Sequence, residues 1–210
     1  LKFGIILFIV LVLITYPMFY FSYKFSDPVL GMQDYFDYYN LYKNWDLSGT
    51  DSPFNTRIIS SYIVHLFYSF GFGYETEITN TFGDKNVYFS AILTSYLSVL
   101  VASTYMFKIV WSQFKRIDYS IAAVFLFLFS FGTIFWSMGA GNDGFGIMLI
   151  AMGYYYYRKK SIGLILILLI SLFQREFVFV VFGALAFFDI IMQKENRRYY
   201  LTTGVVCLIF

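Results

Sequence analysis

"FGIILFIVLVLITYPMFYF", residues 3–21, carries no charged side chain. As a helix rising 1.5 Å per residue it would measure roughly 28 Å, close to the roughly 30 Å hydrocarbon core of a bilayer. It follows Lys2 as a signal peptide's apolar region would, but it is too long for one. The "FSYKFSD" that ends it, residues 21–27, offers no small-residue cleavage site. The run reads as a retained membrane anchor.

The rest of the chain has the same character. Of 210 residues, 59% are hydrophobic, 24% aromatic and 13% charged, with a mean hydropathy of +0.65. That balance lies outside the range of soluble domains. Further apolar runs at residues 87–110, 119–138, 145–157, 162–173, 177–192 and 201–210 predict an all-α fold, a polytopic transmembrane helical bundle. Several runs are short: residues 145–157 would rise only about 20 Å as a helix, so such segments must be tilted, sunk below the surface or extended by their tyrosines. No repeat, low-complexity tract or Pro/Gly linker divides the chain, which reads as one transmembrane domain over residues 1–210. It begins with Leu1 rather than Met and ends inside the apolar "LTTGVVCLIF", residues 201–210, and is therefore expected to be part of a longer protein. A net charge of +2 with scattered basic residues argues against a nucleic-acid partner. The single cysteine, Cys207, excludes an intramolecular disulfide.

Basic residues near the ends of the runs set the orientation, because cytoplasmic loops hold the excess. With the N-terminus inside and residues 24–86 forming a long first extracytoplasmic loop with juxtamembrane helices, ten of the fifteen basic residues fall inside: Lys2, Lys108, Lys115, Arg116, Arg158, Lys159, Lys160, Lys194, Arg197 and Arg198. Ten of the thirteen acids then fall outside. A rival topology makes residues 57–74 a span of their own; Ser60, Ser61, His65 and Ser69 along that segment suit an interfacial helix better. The preferred reading is a multi-pass protein of the cytoplasmic membrane with its active face outside.

Three polar stretches share that outer face: "QDYFDYYNLYKNW" (residues 33–45), "GAGNDGFG" (139–146) and "FQREF" (173–177). A charged side chain in hydrocarbon costs about 2.5–3.5 kcal/mol on insertion scales, so Arg175 and Glu176 must lie at a hairpin tip, in a watery cavity or in a pair. Acids and an arginine converging on one interface suit a cleft for an anionic substrate, since Arg holds phosphate bidentately while a carboxylate takes a proton.

An inner start, one span, a long acidic-aromatic outer loop and further short spans resemble the glycosyltransferase C superfamily of polytopic transferases. "DYFDYYNLY" followed by "SPFNTRIISSYIVHLF", and the later "LFQREF", are similar to stretches of its bacterial members, over about residues 1 to 200. Ser61 stands where such sequences often have proline, and Asp-Tyr-Phe-Asp replaces a tight acidic pair. The resemblance implies transfer of a sugar from a polyprenyl-phosphate donor, lying in the lipid bilayer, to a hydroxyl or amide of an acceptor glycan, lipid or protein.

On that reading Asp34 is the general base, with Asp37 able to share the role, and Asp143 is a second acid near the acceptor or a metal. Arg175 clamps the phosphate, Glu176 orients Arg175, Arg57 is the next phosphate ligand, and His65 lies on the substrate-binding side. No cofactor is required by these roles, and a divalent metal is the one that the acids leave open. Each residue also has a structural reading: helix-terminal acid for Asp34, turn residue for Asp143, ion pair for Arg175 and Glu176, hydrogen-bonded helix residue for His65. Rival classes are a non-catalytic membrane subunit and a transporter or flippase of envelope polysaccharide precursors.

Overall fold

The computed structural model describes residues 2–25, 33–48, 57–73, 84–130, 132–137, 140–192 and 196–209. Among them there is no strand, and the fold is all-α. The helices are α1 (Lys2–Phe25), α2 (Gln33–Asn44), α3 (Ile58–Ser69), α4 (Lys85–Phe114), α5 (Ile117–Leu128), a π-helical segment (Gly132–Ser137), α6 (Asp143–Arg158), α7 (Gly163–Leu172), α8 (Phe177–Met192) and α9 (Arg197–Ile209).

The 30-residue α4 is the spine, with α1, α3, α5 and α6 packed on it. Its sequence explains the position. Thr94, Ser98, Ser103 and Thr104 are all buried, and each donates its hydroxyl to the carbonyl four residues back, at 2.7–3.0 Å. The helix thus satisfies its own buried hydroxyls, and the small side chains let neighbours approach closely. Asp84 caps its start by accepting from the Asn86 amide at 3.0 Å. Antiparallel to it, α1 is fastened by Thr15 and Tyr96, whose hydroxyls lie 2.9 Å apart, and by the Phe19 ring 5.7 Å from Phe89. Beyond the spine, α7 and α8 pack on α6, and α9 on α8.

The surface is apolar where the centre is polar. Leu13 of α1, Val180 of α8 and Leu208 of α9 are 72%, 71% and 86% exposed, while α4 hides its serines and threonines. Among the described residues two helices, Gly4–Tyr23 within α1 and α4 itself, are long and apolar enough to cross a membrane; α3, α5, α7 and α8 are apolar but shorter.

One expectation changes, and one rival span shortens. The run expected as one span over residues 119–138 is broken after Leu128. There the Ser130 hydroxyl accepts from the Thr133 amide at 3.2 Å, capping the π-helical turn, and donates to the Phe127 carbonyl at 2.9 Å. The described residues 57–73 hold the 12-residue α3, about 18 Å long. It is closed by Gly71 at φ +74°, with Gly71 N–H bonded to Tyr68 O and Phe72 N–H to Phe67 O. That double bond pattern is the Schellman stop, which needs a left-handed residue and so favours glycine. As a helix, α3 is too short to cross unaided.

Alternating helices sort the chain's ends. The α2–α3 layer, Asp84, residues 140–143 and residues 173–177 gather at one end of the bundle; Lys108, Lys115 and Lys159 gather at the other.

Candidate functional site

At the first of these ends, α2 lays a tyrosine stripe on the bundle. Tyr35, Tyr38, Leu41 and Tyr42 recur at helical spacing and are completely buried, which turns Asp37 and Asn40 outward. The tyrosines therefore belong to the core beneath a polar layer. α2 stops at Trp45, whose φ of +53° is unusual for a bulky residue. Packing against α3 holds it there, with its indole 4.9 Å from the Tyr62 ring and 6.0 Å from His65.

The turn between α7 and α8 caps α3 from a distance. Arg57 precedes α3 without capping it through its side chain. Instead the Ile59 amide donates to Phe173 O at 3.4 Å, and Gln174, 1% exposed, accepts from the Ser60 amide at 2.9 Å while donating to the Ser60 hydroxyl at 2.7 Å. Two amides that α3 itself leaves open are thereby satisfied.

The same turn delivers two charges. Arg175 forms an ion pair with Asp143, the first residue of α6, and Glu176 lies 3.7 Å from Arg57. Both guanidinium side chains are only 12% exposed. Gly146 lies against the first pair: a Cβ there would sit 3.3 Å from Arg175 Cγ and 3.4 Å from the Phe177 ring, so those side chains would have to shift slightly. Arg57 Nη1 donates to the Tyr38 hydroxyl at 3.2 Å. Burial pushes the Tyr38 hydroxyl above its ordinary pKa, and the Arg57 hydrogen bond opposes the shift in part. Asn142, 3% exposed, accepts from Tyr42 at 3.1 Å, and its Nδ2 finds no hydrogen-bond partner among the described residues. Arg175 Nε is in the same state.

Beside Asp143 opens a groove of about 430 Å³, lined by Phe127, Ile147 and Phe177 with Ser130 and Thr133 on one wall. Apolar along its length, it carries one carboxylate.

Arg57, Arg175, Glu176, Asp143 and His65 thus share one end of the bundle. Glu176 pairs with Arg57, so the expected orientation of Arg175 by Glu176 is not the one found. Asp37 stands apart, exposed on the outer side of α2, and the side chain of Asp34 lies outside the described residues. Among the described residues no three His, Cys, Asp or Glu side chains are grouped to hold a metal. Sequence reasoning missed Gln174 as a cap, Tyr38 as the hydroxyl that Arg57 reaches, and Tyr42 with Asn142 as a buried hydrogen-bonded pair. The only sequence signal was their position inside the three polar stretches.

The His65 ring is engaged on both sides: Nδ1 lies 3.0 Å from Tyr42 O, at the end of α2, and Nε2 lies 3.4 Å from Ser69 Oγ. His65→Phe keeps the ring but removes its hydrogen bond to the Tyr42 carbonyl, so it should cost about 1 kcal/mol. A thermal melt checks this, and activity per folded molecule should be unchanged. A base at this position would instead lose about a hundredfold or more in turnover.

Comparison with known protein families, with curated proteins and with solved structures finds no match to this chain.

Proposed function

We propose that the chain is a polytopic membrane glycosyltransferase of the glycosyltransferase C type, moving a sugar from a polyprenyl-phosphate donor to an acceptor at the outer face of the cytoplasmic membrane. The observation that carries the reading is the apolar groove that ends at Asp143, with Arg175 paired behind it. A prenyl tail needs an apolar wall open to lipid, and its phosphate needs a cation. The apolar perimeter around a spine of buried hydroxyls supports a lipid surrounding for the whole bundle, short helices included.

In this reading the bond between the sugar's anomeric carbon and the donor phosphate oxygen breaks, and the phosphate leaves with the electron pair. The acceptor's oxygen or nitrogen bonds to that carbon and gives its proton to a carboxylate. Asp143 is the described acid best located for that proton. Its carboxylate is held by Arg175 in the ion pair, and a phosphate that takes the guanidinium frees it to face the acceptor. Donor binding and base activation would then be one event.

A second reading has one observation in its favour. Arg57 and Arg175 are each matched by a carboxylate, which suits a structural ion-pair layer in a non-catalytic subunit. Titration of the purified protein with farnesyl phosphate separates the two. The transferase reading expects saturable binding that weakens about tenfold or more in Arg175→Lys, because lysine offers a point charge in place of a planar fork. Absence of binding would leave the structural layer.

Topology is checked separately. In a Cys207→Ser background, cysteine at the exposed positions 37 and 160 should behave oppositely in intact cells: an impermeant thiol reagent labels 37 and spares 160. The reverse pattern would put the site on the cytoplasmic face and remove the lipid-linked donor chemistry assigned to it.

A further inference from the structure

At the end of the bundle opposite the Asp143–Arg175 pair, α4, the start of α5 and the end of α6 enclose a cavity of about 400 Å³. Lys108, Lys115 and Lys159 line it together with Trp111 and Tyr155, and no carboxylate does. Asp118, the acid nearest in sequence, is held by Arg116 at 2.5 and 3.1 Å. Two of the lysines rest on aromatic faces instead of acids: Lys108 Nζ is 4.4 Å from the Tyr105 ring centre and Lys159 Nζ 4.4 Å from that of Tyr155. Such contacts position an ammonium without cancelling its charge.

Phe107 joins this cavity to a second feature. It also lines a groove of about 250 Å³ between α1 and α5, walled by Leu7, Leu11, Val124 and Leu128, in which no polar surface is present. Three lysines with no carboxylate partner among the described residues thus adjoin, across one shared ring, a hydrocarbon-lined groove between α1 and α5. A molecule matching both must carry an anionic head and an apolar tail.

We propose that this is a binding site for one anionic glycerophospholipid of the surrounding leaflet. Its phosphate lies among Lys108, Lys115 and Lys159, and one acyl chain runs along the groove between α1 and α5. The inference rests on the membrane part of the proposed function and is independent of the transfer chemistry, since none of these residues belongs to the Asp143 site. Basic pockets on the cytoplasmic side of helix bundles gain attraction from each lysine near the headgroup plane.

The test is native mass spectrometry of the purified protein in neutral detergent, titrated with phosphatidylglycerol, phosphatidylcholine or inorganic phosphate. One phosphatidylglycerol should bind per chain, about tenfold or more tighter than phosphatidylcholine. Lys108→Gln with Lys159→Gln should weaken it by about fivefold per lysine. Val124→Trp, which fills the groove and leaves every lysine in place, should weaken it as well. Equal affinity for the two lipids would overturn the proposal, and so would undiminished binding in the lysine variant. Inorganic phosphate that competes the lipid away at millimolar concentration would reassign the pocket to a free anion. If the lysine variant does not fold, Val124→Trp decides alone, because a lipid bound elsewhere is indifferent to that groove. Prenyl-phosphate binding at the other end should survive all three changes, so failure here and failure of the transferase reading give different results.

Discussion

Asp143→Asn should lower sugar transfer by about a hundredfold or more, the usual range for a lost general base. Asparagine keeps the size of the side chain and an oxygen for Arg175, so the turn between α7 and α8 stays docked. The carboxylate of Asp143 is 40% exposed, and its pair with Arg175 is screened on that side. The stability cost should therefore stay near 1 kcal/mol. The measurement is single-turnover transfer from a prenyl-phosphate sugar, beside a melt of the same sample. A melt that barely moves with transfer all but gone places the chemistry at Asp143. Transfer that survives would return the base role to Asp34 or Asp37. Arg175→Lys adds the complementary arm, since it removes the fork on the donor while leaving Asp143 a charged partner.

Gly153→Leu should prevent stable folding. Gly153 lies where α6, α7 and α8 meet, and a Cβ there would come within 2.5 Å of Phe182 Cζ and 3.3 Å of Ile167 Cγ2. Phe182 is completely buried, with the Tyr157 ring 6.0 Å away, so it cannot swing aside. Overpacking typically costs about 1–3 kcal/mol, and leucine adds three further carbons to an already impossible contact. Gly153→Ala should be milder, because its helix propensity returns about 1 kcal/mol. Gly153→Ala combined with Phe182→Leu should recover more stability than the single changes sum to. Melts of the four variants in detergent give the cycle; a Gly153→Leu protein melting with the parent would mean that the three helices do not meet there.

Much of the architecture is legible in the sequence because apolar runs mark helices whatever they pack against. The breaks are legible only where a residue dictates them. Gly71 announces the end of α3, but Ser130 divides an apolar run with one hydroxyl, and Trp45 ends α2 in a backbone region that its own type disfavours. The three polar stretches did announce a common end. Their pairing could not be read: Arg175 and Glu176 are neighbours in the chain, yet a tight turn sends one to Asp143 and the other to Arg57. Gly146 leaves room on α6 for the Arg175 side chain beside it. Such partners depend on which helices lie side by side, a property of the assembled bundle.

The capping of α3 by Gln174 has a consequence in time. The Ser60 amide and its cap are separated by 114 residues. At synthesis rates of about 5–20 residues per second, roughly 6 to 20 s pass between the emergence of one and of the other. Until the later turn arrives, the first-turn amides of α3 lack this cap, and a 12-residue helix is marginal by itself. α3 is therefore left unfinished until the turn between α7 and α8 has been made. A chain stopped before residue 174 should protect α3 less well against limited proteolysis than the whole chain does.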